Sequence, residues 1–300
     1  MKNVLFRFVY SQALSLLALA SCASAQTTDY VGDGVFTQGI EGPAVDAQGR
    51  LYAVNFAQEG TIGVVDQPHN AQLFVTLPEG STGNGIRFGR DGAIYVADYT
   101  GHNVLKIDPT TKAISVHAHS AQMNQPNDIA IAKSGVIYAS DPKWADGTGN
   151  LWMISPAGKV SLLEANMGTT NGVEVSADEQ HLYVNESVQR RVWKYDIDKT
   201  TGAPSNKRLL MEFADHGLDG MRSDVLGNLY IARYGAGEVA VVSPHGTLLQ
   251  RIKLKGQKPT NVAFGGVDGK TVYVTLQDRG AIETFRSEQA GREWQLLRAK

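Results

Sequence analysis

Short apolar runs alternate with polar turns along most of the chain, and one arrangement of them returns six times. Each copy opens on a carboxylate or carboxamide side chain, continues as a short apolar run, turns, and enters a second apolar run. The copies start about 42 to 48 residues apart, a period typical of repeat proteins. The six opening residues are Glu41, Asn84, Asn127, Asn171, Asp219 and Asn261.

A tyrosine follows each opening residue by about 11 or 12 positions, inside the second apolar run. These tyrosines are Tyr52, Tyr95, Tyr138, Tyr183, Tyr230 and Tyr273. Two further apolar runs complete each copy, such as residues 61–65 and 72–76 in the first. Runs rich in Val, Ile, Leu and Tyr between Gly, Pro, Asn and Asp predict four short strands per copy.

Four strands in each of six copies predict an all-β fold, a six-bladed β-propeller formed by residues 26–300. No helical spacing of apolar residues is evident after residue 25, so a parallel α/β fold is disfavoured. Either the strand near residues 282–286 or the lead-in near residues 30–36 closes the ring, and the sequence leaves both open. We expect residues 288–300 to be a terminal strand or a loose tail.

Charge and cysteine content narrow the classes of function. The 28 basic and 30 acidic residues give a net charge of −2, which argues against nucleic acid as the main partner. A hydrophobic content of 42% is enough to build a full core. The one cysteine, Cys22, excludes an intrachain disulfide.

Residues 1–25 are predicted to be a signal peptide of an exported, periplasmic or secreted protein. Lys2 and Arg7 precede an apolar stretch at residues 8–20, and Ala23-Ser24-Ala25 matches a cleavage site. The apolar stretch is too short for a comfortable membrane span, so we expect no transmembrane segment in the mature chain. Residues 19–22 also resemble a bacterial lipoprotein box, which would instead leave a lipid anchor on Cys22.

The opening residues of a propeller's repeats occupy equivalent positions around its central channel. If they point to the channel mouth, six side chains converge there, and all of them offer oxygen. Two carboxylates with neutral carboxamides suit a hard divalent cation, Ca²⁺ most naturally, with Mg²⁺, Mn²⁺ or Zn²⁺ as alternatives. A cation would also relieve the repulsion between the two carboxylates.

A structural interpretation competes with this one, because Asn-Gly and Asp-Gly are favoured turn dipeptides. Asn84-Gly85, Asn171-Gly172 and Asp219-Gly220 fit it. Two other features also allow either a functional or a purely structural role. The loop at residues 143–150, with Trp144, is either a wall of the substrate site or an ordinary long hairpin. His216 is either a residue that supports the site or an ordinary loop residue.

Several motifs resemble those of the gluconolactonase, senescence marker protein and luciferin-regenerating enzyme family, in the same order and across nearly the whole mature chain. They are Glu41-Gly42-Pro43, Pro126-Asn127-Asp128, Thr170-Asn171-Gly172-Val173, Leu218-Asp219-Gly220-Met221 and residues 258–266. The resemblance implies a six-bladed propeller with one divalent cation, whose ligands fall on Glu41, Asn127, Asn171 and Asp219. It also implies hydrolysis of a small-molecule lactone, with Asp219 as general base.

One position departs from the family pattern. Sugar-lactone members often carry an arginine two residues before the asparagine of the third blade, where this chain has Gln125. The departure puts sugar-acid specificity in doubt, since a bidentate cation for substrate hydroxyls is missing there. Gln125 and Asn84 are the candidate substrate-binding residues, and Arg222 or Arg233 are candidates to replace the missing arginine.

Two other functions remain open at this stage. A non-enzymatic propeller of the NHL type would use the same face to bind a partner, and residues 91–98 would suit that family. A lyase resembling virginiamycin B lyase would open a lactone by elimination, also with a divalent ion. The convergent acids Glu41 and Asp219 favour a metal enzyme, because a plain binding face needs no such pair.

Overall fold

The computed structural model describes residues 26–299, and these residues form six four-stranded antiparallel sheets arranged as the blades of a propeller. The prediction of an all-β, six-bladed propeller is therefore confirmed. The predicted signal peptide, residues 1–25, and the alternative lipid-bearing Cys22 lie outside the described residues.

The first three blades follow the chain order without crossovers. Their strands are β2 (Ala44–Val45), β3 (Leu51–Val54), β4 (Thr61–Gln67) and β5 (Asn70–Thr76); β6 (Gly83–Phe88), β7 (Ile94–Asp98), β8 (Asn103–Ile107) and β9 (Ile114–His119); and β10 (Ile129–Ile131), β11 (Ile137–Lys143), β12 (Thr148–Ile154) and β13 (Val160–Met167).

Blades 4 and 5 repeat this order, and blade 6 combines the two ends of the chain. The strands are β14 (Thr170–Val175), β15 (His181–Glu186), β16 (Arg191–Ile197) and β17 (Pro204–Glu212); β18 (Met221–Ser223), β19 (Leu229–Arg233), β20 (Glu238–Val242) and β21 (Leu248–Lys253); and β22 (Pro259–Gly265), β23 (Thr271–Leu276), β24 (Ala281–Arg286) and β1 (Thr28–Val31).

Both segments that the sequence left open take part in closing the ring. Strand β1 pairs antiparallel with β24, with Thr28 opposite Thr284, so the lead-in supplies the outer strand of blade 6. Arg279 links these two strands, since its Nη1 contacts the carboxylates of Asp29 in β1 and Glu283 in β24 at 2.8 Å each. The two ends of the ring are thereby held by hydrogen bonds and ion pairs as well as by packing.

The core consists of apolar clusters that lie between neighbouring blades. In β3, Tyr52 and Val54 face blade 2, while Leu51 and Ala53 face blade 6. Successive side chains of a strand point to opposite faces, and both faces of a blade are covered, so the strand is apolar throughout. The Tyr52 ring meets Phe88 of blade 2 edge-on at 5.4 Å, so this tyrosine packs between two blades.

The C-terminal segment differs from our expectation of a strand or a loose tail. It contains the helix α1 (Arg292–Arg298), which lies against the propeller. Glu293 reaches the fully buried Arg87 and Arg222, with carboxylate oxygens 3.3 and 3.5 Å from their Nε atoms. Two helical turns are too short to show a period in the sequence, and these contacts, not propensity, stabilise them. None of the helices within residues 26–299 has the length and apolar character required to cross a bilayer.

Candidate functional site

A cavity of about 680 Å³ lies where the first strands of the blades begin, at one end of the channel. Five of the six opening residues line it: Glu41, Asn84, Asn127, Asn171 and Asp219. The first strand of each blade carries them there, either inside the strand, as for Asn84 and Asn171, or just before it. Each copy of the repeat builds one blade, so the opening residues of the copies lie at equivalent positions around the central axis.

Four buried oxygen atoms in this group have no hydrogen-bond partner among residues 26–299. They are Glu41 Oε1, Asn84 Oδ1, Asn127 Oδ1 and Asn171 Oδ1. Buried polar atoms are nearly always paired in folded proteins, and leaving one unpaired costs about 1–3 kcal/mol. Four such oxygens at one place are suited to bind either a cation or groups that donate hydrogen bonds.

The glycines after the opening residues serve close packing at the axis and not turns. A Cβ atom on Gly85 would lie 2.9 Å from Asn127 O, and one on Gly172 would lie 2.6 Å from Asp219 O. Gly85 N also donates to Asn127 O at 2.7 Å. Each glycine therefore lets the next blade approach, so the turn interpretation of these dipeptides is wrong: Asn84 and Asn171 lie in strands.

The two carboxylates of the site influence each other. Burial and then the Glu41 carboxylate raise the pKa of Asp219 well above its ordinary value, while hydrogen bonding from Asn171 lowers it. Burial likewise raises the pKa of Glu41, opposed by hydrogen bonds from the Asn261 side chain and the Gly42 N–H. Both shifts reflect the burial of carboxyl groups, and the charge of Arg87 only partly offsets this effect at Glu41.

Asn261 has a different role from the other opening residues. Its Oδ1 accepts hydrogen bonds from Arg222 Nη1 and Val262 N at 2.9 Å each, and its Nδ2 donates to Glu41 Oε2 at 3.0 Å. Arg222 also contacts Asp128 Oδ2 at 3.4 Å. Asn261 thus has no free oxygen to offer and instead holds Glu41 in position.

The chemistry of the donors fits a hard divalent cation. Across residues 26–299, no three His, Cys, Asp or Glu side chains group together, so a site built on acids and imidazoles alone is not present in that part of the chain. The set found here is instead two carboxylates with three carboxamide oxygens. Oxygen-only sets of this kind are what Ca²⁺ and Mg²⁺ prefer.

The other residues singled out in the sequence fall partly inside and partly outside the cavity. Trp144, in a short 3₁₀ turn at Trp144–Asp146, lines it, as does the exposed His216. Gln125 does not line it. Its backbone N–H donates to Asp141 Oδ1 at 2.6 Å, and contact of its side chain with a substrate stays a prediction.

Neither arginine proposed to replace the missing one reaches the cavity. Arg222 is buried below the site, next to Asn261. Arg233 binds Asp215 through Nη2, and its guanidinium lies 3.8 Å from the centre of the Phe213 ring. Both are occupied by structural contacts, so these assignments are wrong.

Sequence reasoning missed several residues of the cavity wall. They are Gln38, Asn55, Glu59, Thr82, Tyr99, Ser187, Val188, Arg190, Tyr234, Thr260 and Gln277. Many of them lie in the turns between the second and third strands of their blades, at Tyr99, Arg190, Tyr234 and Gln277. The sequence signal for this wall is the recurrence of these turns from blade to blade.

Comparison with known proteins gives a consistent result. The family model described as the SMP-30/Gluconolactonase/LRE-like region matches residues 40–278. The chain is 32% identical over 218 residues to a gluconolactonase from Zymomonas mobilis, covering 64% of this chain and 60% of that protein. It is 32% identical over 151 residues to a pentonolactonase from Haloferax volcanii, covering 50% and 52%. The aligned part thus spans about half to three fifths of these relatives.

Solved structures agree on the fold. A calcium-binding protein, regucalcin, from Agrobacterium tumefaciens superimposes with a TM-score of 0.76 at 21% identity, covering 88% of this chain and 95% of that one. The family match extends over most of the chain and includes every opening residue from Glu41 to Asn261. This protein belongs to the SMP-30/gluconolactonase/LRE-like family.

Proposed function

We propose that this protein is a lactonase that depends on one divalent cation, with Ca²⁺ as the first candidate and Mg²⁺, Mn²⁺ or Zn²⁺ as alternatives. Glu41, Asn127, Asn171 and Asp219 would hold the ion. The observation that carries the proposal is the group of unpaired buried oxygens at the cavity floor, where burial raises the pKa of both the Glu41 and the Asp219 carboxyl groups. The lactonases among the relatives support the choice of a lactone as substrate.

The chain's own residues define the reaction. When bound, the cation would supply positive charge that stabilises the oxygen of the lactone carbonyl as negative charge develops there. The Asp219 carboxylate takes a proton from the attacking water, whose oxygen adds to the carbonyl carbon. Oδ1 already accepts the Gly220 N–H at 3.0 Å, so Oδ2 is the atom that receives this proton. The bond to the ring oxygen then breaks, and the proton passes to that oxygen to give the hydroxy acid.

Asn84 has the best position for contact with substrate hydroxyls. It lines the cavity, its Oδ1 is unpaired, and it is not among the four ligands that the family resemblance implies. Asn84→Ala should therefore raise KM more than it lowers kcat, while Asp219→Asn should abolish turnover. Equal effects of the two substitutions on kcat would contradict this division of roles.

The test of the proposed function is hydrolysis of aldonolactones and aliphatic lactones by a pH-indicator assay. The protein is stripped with chelator and then resupplied with Ca²⁺, Mg²⁺, Mn²⁺ or Zn²⁺ in turn. We expect activity to vanish on stripping and to return with one ion. Hydrolysis places one solvent ¹⁸O atom in the product, whereas a lyase places none. A folded protein inactive with every ion would favour the binding propeller of the NHL type.

We also propose that the protein is exported, because its first 25 residues match a signal peptide. Intact mass of the protein recovered from the native host's periplasm or medium tests this. Cleavage after Ala25 gives a chain that starts at Gln26, whereas lipidation gives one that starts at a modified Cys22. Recovery of the full 300-residue chain from the cytoplasm would contradict export.

A further inference from the structure

Arg190 is the one Arg or Lys among the described residues that line the cavity. It lies in the turn between β15 and β16 of blade 4 and is half-buried. Its Nε donates to Phe213 O at 3.3 Å, which fixes the plane of the guanidinium. Nη1 and Nη2 donate no hydrogen bond to any of residues 26–299, so one edge of the group is available to a ligand.

The backbone of Arg190 adopts a conformation that suits glycine. Its φ is +60°, a left-handed conformation that side chains other than glycine rarely adopt. The same position of the turn is a glycine in blades 1, 3, 5 and 6, for example Gly237 and Gly280 with φ of +62° and +55°, and is His102 in blade 2 with φ of +59°. A glycine at position 190 therefore fits the turn without strain, so the Arg190 side chain can be removed without disturbing the backbone.

The charges of the cavity are distributed unevenly. Of the three acidic residues that line it, Glu41 and Glu59 belong to blade 1 and Asp219 to blade 5, and the Glu59 carboxylate accepts the Thr37 hydroxyl at 2.5 Å. In a ring of six, blade 4 lies opposite blade 1, so Arg190 faces this acidic wall from the other side. A neutral sugar lactone offers no anion to the Nη atoms of Arg190. A lactone with an acidic substituent could instead form an ion pair with them.

We propose that the cavity selects lactones that carry an acidic substituent, a carboxylate or a sulfonate, and that Arg190 binds this group through its two Nη atoms. The inference rests on the proposed lactonase function. The planar fork of a guanidinium matches two oxygens of one oxyanion, which gives the pair its geometry as well as its charge. Arg190 thus places a cation in the part of the cavity wall that blade 4 forms.

The test compares Arg190→Gly with the wild type on three substrates: glucono-1,5-lactone, glucaro-1,4-lactone, which carries a carboxylate, and a gluconolactone with a 6-sulfonate. The glycine suits the left-handed turn, so the variant should keep its thermal midpoint. We expect kcat/KM for one or both acidic lactones to fall at least about tenfold, mainly through KM. The neutral lactone should change less than about twofold.

A matched control is His102→Gly in the equivalent turn of blade 2. His102 also has a left-handed backbone, with φ of +59°, and does not line the cavity. Its replacement should leave all three substrates unchanged. Equal losses on neutral and acidic lactones in Arg190→Gly, or no loss on any, would overturn the proposal. The two acidic substrates show whether the site prefers a carboxylate or a sulfonate.

A second readout separates this proposal from the lactonase function itself. If the wild type hydrolyses none of the lactones, calorimetric binding of glucarate still reports on the anion site. Binding that weakens at least about tenfold in Arg190→Gly, but not in His102→Gly, sustains the assignment of Arg190. Absence of binding, or equal binding by all three proteins, overturns it.

Discussion

Asn261 Nδ2 donates a hydrogen bond of 3.0 Å to Glu41 Oε2, and Glu41 Oε1 is left without a protein partner. The Asn261 carboxamide cannot turn round, because its Oδ1 accepts hydrogen bonds from Arg222 Nη1 and Val262 N. Blade 6 therefore orients a candidate ligand of blade 1 and does not supply one of its own. The contact explains why the sixth opening residue is a carboxamide although it offers no free oxygen to the site.

Replacing Asn261 with alanine should weaken Ca²⁺ binding by about tenfold, because residues that orient ligands typically contribute 10–100-fold to metal affinity. Calorimetric titration of chelator-stripped protein measures the effect. Asn228→Ala is the matched control, since Asn228 also donates to a carboxylate, Asp224 Oδ2 at 2.8 Å, but that carboxylate does not line the cavity as Glu41 does. Equal Ca²⁺ affinities in wild type and Asn261→Ala would contradict the positioning role.

Glu293→Gln should lower the free energy of unfolding by about 1–3 kcal/mol, because it removes one of the anions that compensate two buried guanidinium groups, while Asp128 and Glu174 remain as partners. Arg87 and Arg222 are both fully buried, and Glu293 is the carboxylate that α1 brings to them. Urea unfolding at neutral pH measures the change. The exposed Glu288 of the same segment provides the control, and Glu288→Gln should change stability by less than about 0.5 kcal/mol. Similar values for both variants would refute this role of α1.

The joint between β1 and β24 should make stability depend on pH in the acid range. The hydrogen bond from Arg279 lowers the pKa of Asp29 below its ordinary value of 3.8, with burial opposing it. An acid whose pKa is lower in the folded state stabilises that state at pH values above its unfolded-state pKa. This contribution is lost as the pH falls through the folded-state pKa. Asp29 is partly exposed, so we expect the contribution to be about 1 kcal/mol or less.

The measurement is the stability difference between wild type and Asp29→Asn as a function of pH. The wild type should be more stable near pH 6, and the difference should shrink as the pH falls below about 3.8. Glu79→Gln, on an exposed turn, should show no such trend. A difference that stays constant or grows on acidification would refute the assigned pairing.

Trp144→Ala should raise KM for a good lactone substrate by about two- to tenfold and leave kcat and thermal stability nearly unchanged. The side chain lines the cavity and is 37% exposed, so its ring is open to contact with a ligand. Leu226→Ala is the control for this prediction. It removes an apolar side chain that is 63% exposed but does not line the cavity, so KM should not change. An unchanged KM in Trp144→Ala would leave residues 143–150 as an ordinary hairpin.

The repeat made most of the fold predictable. Each copy builds one blade, so the tyrosines such as Tyr52 and the openings such as Asn127 mark structurally equivalent positions. The helix α1 was not predictable, because two turns carry too little periodicity and their stability comes from distant residues such as Arg87. How the ring closes was also open, since the pairing of β1 with β24 joins residues about 250 positions apart.

The candidate site was predictable where it follows the repeat and not elsewhere. Asn127 and Asn171 were found because every blade contributes the same phase of its first strand. Arg190 was missed because it lies in a turn whose sequence varies from blade to blade: the same position is glycine in blades 5 and 6 and His102 in blade 2. The family resemblance left Asn261 out of the ligand set, but only its contacts with Arg222 and Glu41 reveal that it positions Glu41.

The most direct test of the central claim is a crystal structure of the mature protein grown with Ca²⁺. We predict one ion at the cavity floor, within about 2.3–2.6 Å of oxygens from Glu41, Asn127, Asn171 and Asp219. Asn261 should remain hydrogen-bonded to Glu41 and lie outside the ligand set. A cavity floor filled by water alone at saturating Ca²⁺, or an ion held by other residues, would contradict the account.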